Sequence, residues 1–317
     1  MVISRADLTK QLIPGLHEII GLNYKSYDNE HSVLFENVKS NRSFEEEVLM
    51  TGLGEAPIKS EGTGVSYDDA QEAWTSRYDH DTIALAFAIT EEAMEDELYD
   101  TYSKIRAQAL GRSLASTKQQ KAADVFNNGF TAGFAGGDGQ PLFSASHPLL
   151  NGGVVDNADT ADLSETALEN AIINIGGFTD DRGILINVMA RSLHIPRALR
   201  FTAFKILKSD LSTTAVTSAA DLGGDTSGNV SNTNATNALR SGGFFPGGVH
   251  VNNRFTDTDA WFIQTDCPNG TKHFVRMPLK VAVEGDFDTG NLRIKARERY
   301  SFGWTDYRRW YGSDGSA

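Results

Sequence analysis

Ser144, His147 and Asp138 lie close together in one stretch, Asp138-Gly139-Gln140-Pro141-Leu142-Phe143-Ser144-Ala145-Ser146-His147-Pro148-Leu149. A hydroxyl, an imidazole and a carboxylate are the parts of a nucleophile, a base and an orienter. A hydrolase using His147 with a nearby serine is therefore one reading. The surrounding residues argue against it. No Gly-x-Ser-x-Gly elbow holds a serine on a strained turn. Pro148 biases His147 toward extended backbone, and Asp138-Gly139-Gln140-Pro141 is turn chemistry. Leu142, Phe143 and Leu149 read as plugs into a core. The stretch is expected to be a packing turn, and no residue is assigned a catalytic role.

Other chemistries fare no better. No Gly-Lys pair occurs, which excludes a Walker loop. The glycines from Gly133 to Gly139 do not match a dinucleotide fingerprint. The seven histidines (17, 31, 80, 147, 194, 250 and 273) are scattered without metal-ligand spacing. Counting from Asp286 as the first position of a calcium loop, Asn291 stands where glycine is needed and Arg297 where a bidentate glutamate is needed. Glu91, Glu92, Glu95, Asp96, Glu97 and Asp100 read as the solvated side of a helix rather than a metal face. No metal and no cofactor are expected.

The formal charge of the 317 residues is −13. A basic surface for nucleic acid could only be local. Its best candidate is the C-terminal cluster Arg293, Lys295, Arg297, Arg299, Arg308 and Arg309, interleaved with Tyr300, Phe302, Trp304, Tyr307, Trp310 and Tyr311. These rings could stack on a single strand. The alternation in Arg293–Trp304 favours a sheet strand with one buried face. Cys267 is the one cysteine, so no intrachain disulfide forms. Neither a signal peptide nor a long apolar run is seen, and a soluble protein made in a cytoplasm, without a membrane partner, is expected.

Residues 1–44 carry a short amphipathic stretch (Leu8, Leu12, Leu16, Ile19, Ile20) that needs a partner surface. Residues 45–89 read as a long two-stranded hairpin with a Gly-rich polar tip and little apolar surface of its own. Thr90 caps a helix of about 38 residues spanning roughly 57 Å. Met94, Leu98, Tyr102, Ile105 and Ala109 mark its buried face, Leu110 and Leu114 continue it, and Gly111 is a candidate kink. Asn128-Gly129 ends it. A helix capped by Ser164 and stopped by Gly176-Gly177 follows, then a buried strand over 183–195 and a helix opened by Pro196. Residues 209–248 are too polar and too long for an ordinary connection. Strands return from 248 onward, with Asp288-Thr289-Gly290-Asn291 turning the last hairpin.

The 138–149 stretch after a long helix, the closing Arg297–Ser313 with its Gly303-Trp304-Thr305-Asp306-Tyr307-Arg308, and Gly247–Asp266 together resemble the major capsid (head) proteins of tailed phages, especially the Mu-type head subunit group. The resemblance runs over nearly the whole chain. It implies an α+β, HK97-like capsid fold. It places an N-terminal arm at 1–44, an extended E-loop at 45–89, a peripheral domain with the spine helix at 90–163, an axial domain at 164–272, and returning peripheral strands with the tail at 273–317. The implied function is self-assembly into hexamers and pentamers of an icosahedral head around double-stranded DNA held without sequence specificity. Scaffolding, portal and decoration proteins are the implied partners, and the virion, assembled in a host cytoplasm, the implied location. Some relatives crosslink lysine to asparagine. Lys59 lies in the comparable region, but crosslinking is not expected. A decoration or tail protein is a further alternative.

Overall fold

The computed structural model describes residues 18–27, 29–90, 92–93, 99–210, 236–286 and 290–316, with residues 99–102 described as backbone only. In chain order the elements are α1 (residues 18–25), α2 (His31–Leu34), β1 (Glu36–Lys39), β2 (Phe44–Met50), β3 (Glu72–Asp79), β4 (Asp81–Ile89) and α3 (Tyr99–Asn127). Then come β5 (His147–Pro148), β6 (Val154–Val155), β7 (Ala158–Asp159), α4 (Glu165–Gly176), β8 (Ala190–Pro196), α5 (Arg200–Lys208) and α6 (Ala238–Gly242). The chain closes with β9 (Gly248–Asn252), β10 (Trp261–Thr265), β11 (Thr271–Gly285), β12 (Leu292–Trp304) and β13 (Trp310–Ser313). Strands β2 and β3 form a two-stranded sheet of their own. The chain divides into two units, Met1–Glu46 with Arg77–Ala123 and Lys272–Gly303, and Glu47–Ser76 with Asp124–Thr271 and Trp304–Ala317.

The first unit holds a four-stranded sheet in the order β1-β11-β12-β4. Alternation in β12 sends Leu292, Ile294, Ala296, Glu298 and Tyr300 inward and leaves Arg293 and Lys295 exposed, as the two-residue period of a strand dictates. β4 pairs antiparallel with it from Leu292↔Ile89 to Tyr300↔Asp81. β1 pairs in parallel with β11. Ile20, Ala107, Leu110 and Leu114 complete the core with Ile89, Leu292, Ile294 and Ala296.

Helix α3 runs 29 residues, about 43 Å. The expected buried stripe is corrected. Met94, Leu98 and the side chain of Tyr102 lie outside the described residues. Ile105 is 56% exposed, and Ala109 is exposed as well. The buried face is Ser103, Ala107, Leu110 and Leu114. Small side chains set this phase because they let neighbours come close. Gly111 does not break the helix. A Cβ there would stand 2.8 Å from the Ile20 carbonyl oxygen, so the glycine is the notch over which α1 crosses.

Two polar groups are drawn into this core. Lys118 Nζ lies 3.5 Å from Glu298 Oε2, which also accepts from the Tyr24 hydroxyl at 2.8 Å. Burial pushes the Lys118 ammonium down and the Glu298 carboxyl up, each against the pull of the other. His31 bonds Gln119 at 2.8 Å and meets His273 edge to face, and His273 Nδ1 bonds Asn37 at 2.6 Å.

The second unit is built on a five-stranded sheet, β7-β13-β10-β8-β9. β10 is antiparallel to β13 and β8, while β9 joins β8, and β7 joins β13, in parallel. Trp261, Phe262 and Ile263 are buried on both faces, as a central strand requires. α4 starts as expected, the Ser164 hydroxyl accepting from the Ala167 amide at 3.1 Å. The strand expected over 183–195 is shorter. Only Ala190–Pro196 is regular, and Asn187 sits at φ 57, which ends the extended run. The polar connection over 209–248 falls largely on 211–235, outside the described residues, and its end forms α6. The expected turn at Asp288 and Thr289 also lies outside them. Residues 51–71 between β2 and β3 form no strand, so the long expected hairpin is paired only at its base, and β4 pairs with β12 instead.

Two expectations follow. Gly111→Val should lower stability by about 1–3 kcal/mol despite the gain in helix propensity, because its β-carbon meets backbone rather than a movable side chain. Its urea midpoint against wild type is the check. The buried histidines give the second. Burial holds His31 at about 4 and His194 at about 3, and pushes His80 and His273 down too. Imidazoles depressed in the fold take up protons first in the unfolded chain. The contribution of these histidines to stability is therefore full above about pH 6.5 and declines as pH falls from there toward 4. His31→Gln should flatten the slope of urea midpoint against pH, and an unchanged slope would refute the assignment.

Candidate functional site

The chemistry-bearing stretch 138–149 folds in the second unit, behind the end of α3. Phe143 anchors it. Its ring stacks on Phe262 at 5.0 Å and Phe130 at 4.9 Å, and Phe126 closes on Trp310 at 4.6 Å. The ring fits because two glycines face it. A Cβ at Gly129 or at Gly312 would come within 2.7 Å of its edge atoms.

With Phe143 fixed, His147 is carried inside. Its side chain is fully buried, with Nδ1 2.6 Å from Asp138 Oδ2 and Nε2 3.1 Å from Asn157 Oδ1. The orientation of the Asn157 amide is set by its nitrogen, which donates to the carbonyls of Leu142, Trp310 and Tyr307 at 2.8, 3.1 and 3.3 Å. Its oxygen accepts from the Ser144 amide at 2.9 Å. Both imidazole nitrogens therefore face oxygen acceptors. The Tyr307 ring lies parallel to the imidazole at 3.7 Å.

Ser144 does not join this line. Its hydroxyl donates to Gln140 Oε1 at 3.2 Å and lies 3.4 Å from Ser146 Oγ, and His147 spends both nitrogens elsewhere. The structure brings Asp138 and His147 together, as a triad would need, but leaves the nucleophile out. What it builds is a polar knot that ties the loop to the returning strand β13. Asn157 is the residue that sequence reasoning missed. Its signal is a lone amide in Val154-Val155-Asp156-Asn157-Ala158, between short strands.

The basic C-terminal cluster does not act as one stripe. Arg293, Lys295, Arg297 and Arg299 lie along β12 in the first unit, Arg293 pairing with Asp286. Arg308 and Arg309 belong to the second. Arg308 is buried, with Nε 2.9 Å from Asp306 Oδ1. The neighbouring Asp306 charge holds its guanidinium above its ordinary range against burial. Arg309 donates to the Cys267 carbonyl at 2.7 Å. Cys267 itself is buried and its thiol is pushed up to about 12, first by desolvation and then by Asp306. Of the acidic residues at the start of the long helix, Glu91 and Glu95–Glu97 lie outside the described residues. Among the described residues no group of three or more His, Cys, Asp or Glu is placed to hold a metal ion, and no helix is long and apolar enough to cross a membrane.

What the surface offers instead is uncovered apolar area. Ile58 is 98% exposed and Tyr67 97% exposed in the strandless 51–71 segment, with Leu53 and Val65 also in solvent.

The α+β chain thus combines a long helix, a separate two-stranded sheet and uncovered apolar side chains. Solved structures share this fold. The fold is similar to a virus-like particle protein from Pyrococcus furiosus (10% identity, 95% of this chain and 98% of that one, TM-score 0.53). It is also similar to the procapsid protein of bacteriophage JBD30 (13%, 98% and 76%, 0.51) and the capsid protein of cyanophage P-SCSP1u (14%, 88% and 86%, 0.51). This is the HK97-like capsid fold. A search of curated proteins returned no match. A family model described as phage capsid protein matches residues 72–313, and the chain belongs to that family.

The knot gives a prediction that separates structure from catalysis. His147→Ala and Asn157→Ala each leave buried partners unsatisfied and should cost about 2–4 kcal/mol. Ser144→Ala should stay within about 1 kcal/mol. Chemical denaturation of the three variants is the check, and a Ser144 cost equal to that of His147 would contradict the geometry.

Proposed function

We propose that the protein is a major capsid protein that assembles through hexamers and pentamers into an icosahedral head around double-stranded DNA. The observation that carries this is the 51–71 segment. It combines nearly fully exposed Ile58 and Tyr67 with a base of only one strand pair, which makes sense when a neighbouring subunit supplies the cover. In this reading residues 1–44 are the arm, 45–89 the E-loop, 90–163 the peripheral domain with the spine helix, 164–272 the axial domain and 273–317 the returning strands and tail. The acidic charge suits a container whose cargo must not adhere to its wall. Scaffolding, portal and decoration proteins are the partners, and assembly takes place in the host cytoplasm. The head-protein motifs noted in the sequence support placement in the Mu-type group. Asp138, Ser144 and His147 are structural, and no residue is assigned to catalysis.

Expression of the chain alone and with a candidate scaffold, followed by negative-stain microscopy and light scattering, should show rings or closed shells. A chain that stays monomeric with scaffold present would refute the proposal.

A further inference from the structure

The two ends of the five-stranded sheet carry opposite charge. β9 ends it on one side and β7 on the other, about 19 Å apart at four strand spacings. On the β9 side, α5, α6 and β9 enclose a groove of about 630 Å³ floored by Leu207, Leu239 and Val251. Phe204, 64% exposed, lines it together with Arg200 and Lys208. Of the described residues that build this end, 197–210 and 236–252, the one acidic residue is Asp210, which is paired with Arg240, so Arg200 and Lys208 supply uncompensated charge.

The β7 end is the reverse. The Ala161 carbonyl accepts from Trp261 Nε1 at 2.9 Å and Ser313 Oγ at 2.7 Å, and the Asp314 amide donates to Asp159 at 3.3 Å. Gly315 lies against the Asp259 backbone. These contacts gather Asp159, Asp162, Asp259 and Asp314 at one edge. Residues 150–163, 256–260 and 311–316 contain no lysine or arginine. Leu150 and Val154, exposed apolar groups, belong to the same segment.

We infer that the occupant of the Phe204 groove is the acidic β7 end of a second copy of this chain. The inference rests on the shell-subunit reading and gives that reading a specific contact. Opposite charges across an interface select partner and orientation, and like ends repel. An end-to-opposite-end contact is heterologous, so repeating it generates a ring when the rotation closes. The apolar floor, with Phe204, supplies the desolvated centre of the contact, and the charges its rim.

The test uses the full chain under conditions in which wild type assembles. One variant carries Arg200→Glu and Lys208→Glu, a second carries Asp162→Lys and Asp259→Lys, and a third carries all four changes. The sites are on the surface, and circular dichroism with urea midpoints verifies each fold. Each two-site reversal should reduce assembly at least tenfold by light scattering, and the four-site variant should recover most of it. A 1:1 mixture of wild type with either reversal should give truncated oligomers, since each variant retains one working end. Normal assembly by either reversal, or a four-site variant no better than the two-site ones, would overturn the contact and leave the shell reading standing. Failure of wild type to assemble would remove both.

Discussion

The aromatic rings of Phe126, Phe143, Phe262 and Trp310 share one buried cluster, and the close fit of Phe143 between Gly129 and Gly312 sets the limits for everything around it. Large rings contribute most of the burial in a core, but they tolerate little error in position. Once the Phe143 ring is seated, Leu142 and Ser144 have fixed backbone positions, and the carbonyls they present need donors. Asn157 meets that need. His147 then fills the space beside it, with Asp138 and the Tyr307 ring completing its surroundings. Asp138, His147 and Asn157 thus form the polar lining of an aromatic socket. The same residue types serve catalysis or packing; the difference lies in where the serine hydroxyl points.

The first unit solves a different problem, bringing a helix and a sheet together closely. Gly111 presents no side chain, and this lets α1 cross α3 with its backbone near contact. The cost is paid in polar burial. Lys118, Glu298 and Tyr24 are drawn into the same layer, each disfavoured by desolvation and retained by the others.

Much of this was legible in the chain because it is local. Ser164 capping α4, the alternation of β12 and the end of α3 at Asn128-Gly129 all follow from residues within a few positions of one another. The phase of α3 was not, because apolar periodicity favours Ile105 while packing favoured the small residues beside it. The apolar content of 183–189 suggests a strand, yet its backbone bonds close a local turn, the Asp180 amide on the Ile184 carbonyl and the Ile186 amide on the Phe178 carbonyl. At the site, the turn around Asp138 and the burial of Leu142 and Phe143 were legible. Its key member, Asn157, was not, since nothing in its neighbourhood reports that three carbonyls from two distant segments converge on it.

Cys267 has a practical consequence. It is the one thiol of the chain, it is buried, and its environment keeps it protonated far above neutral pH. Thiolate is the form that reacts. A cysteine introduced on any exposed loop would therefore be the sole addressable sulfur of each subunit. Dyes, spin labels or crosslinkers could be placed on an assembled particle at one chosen point per copy, with no background from the native chain.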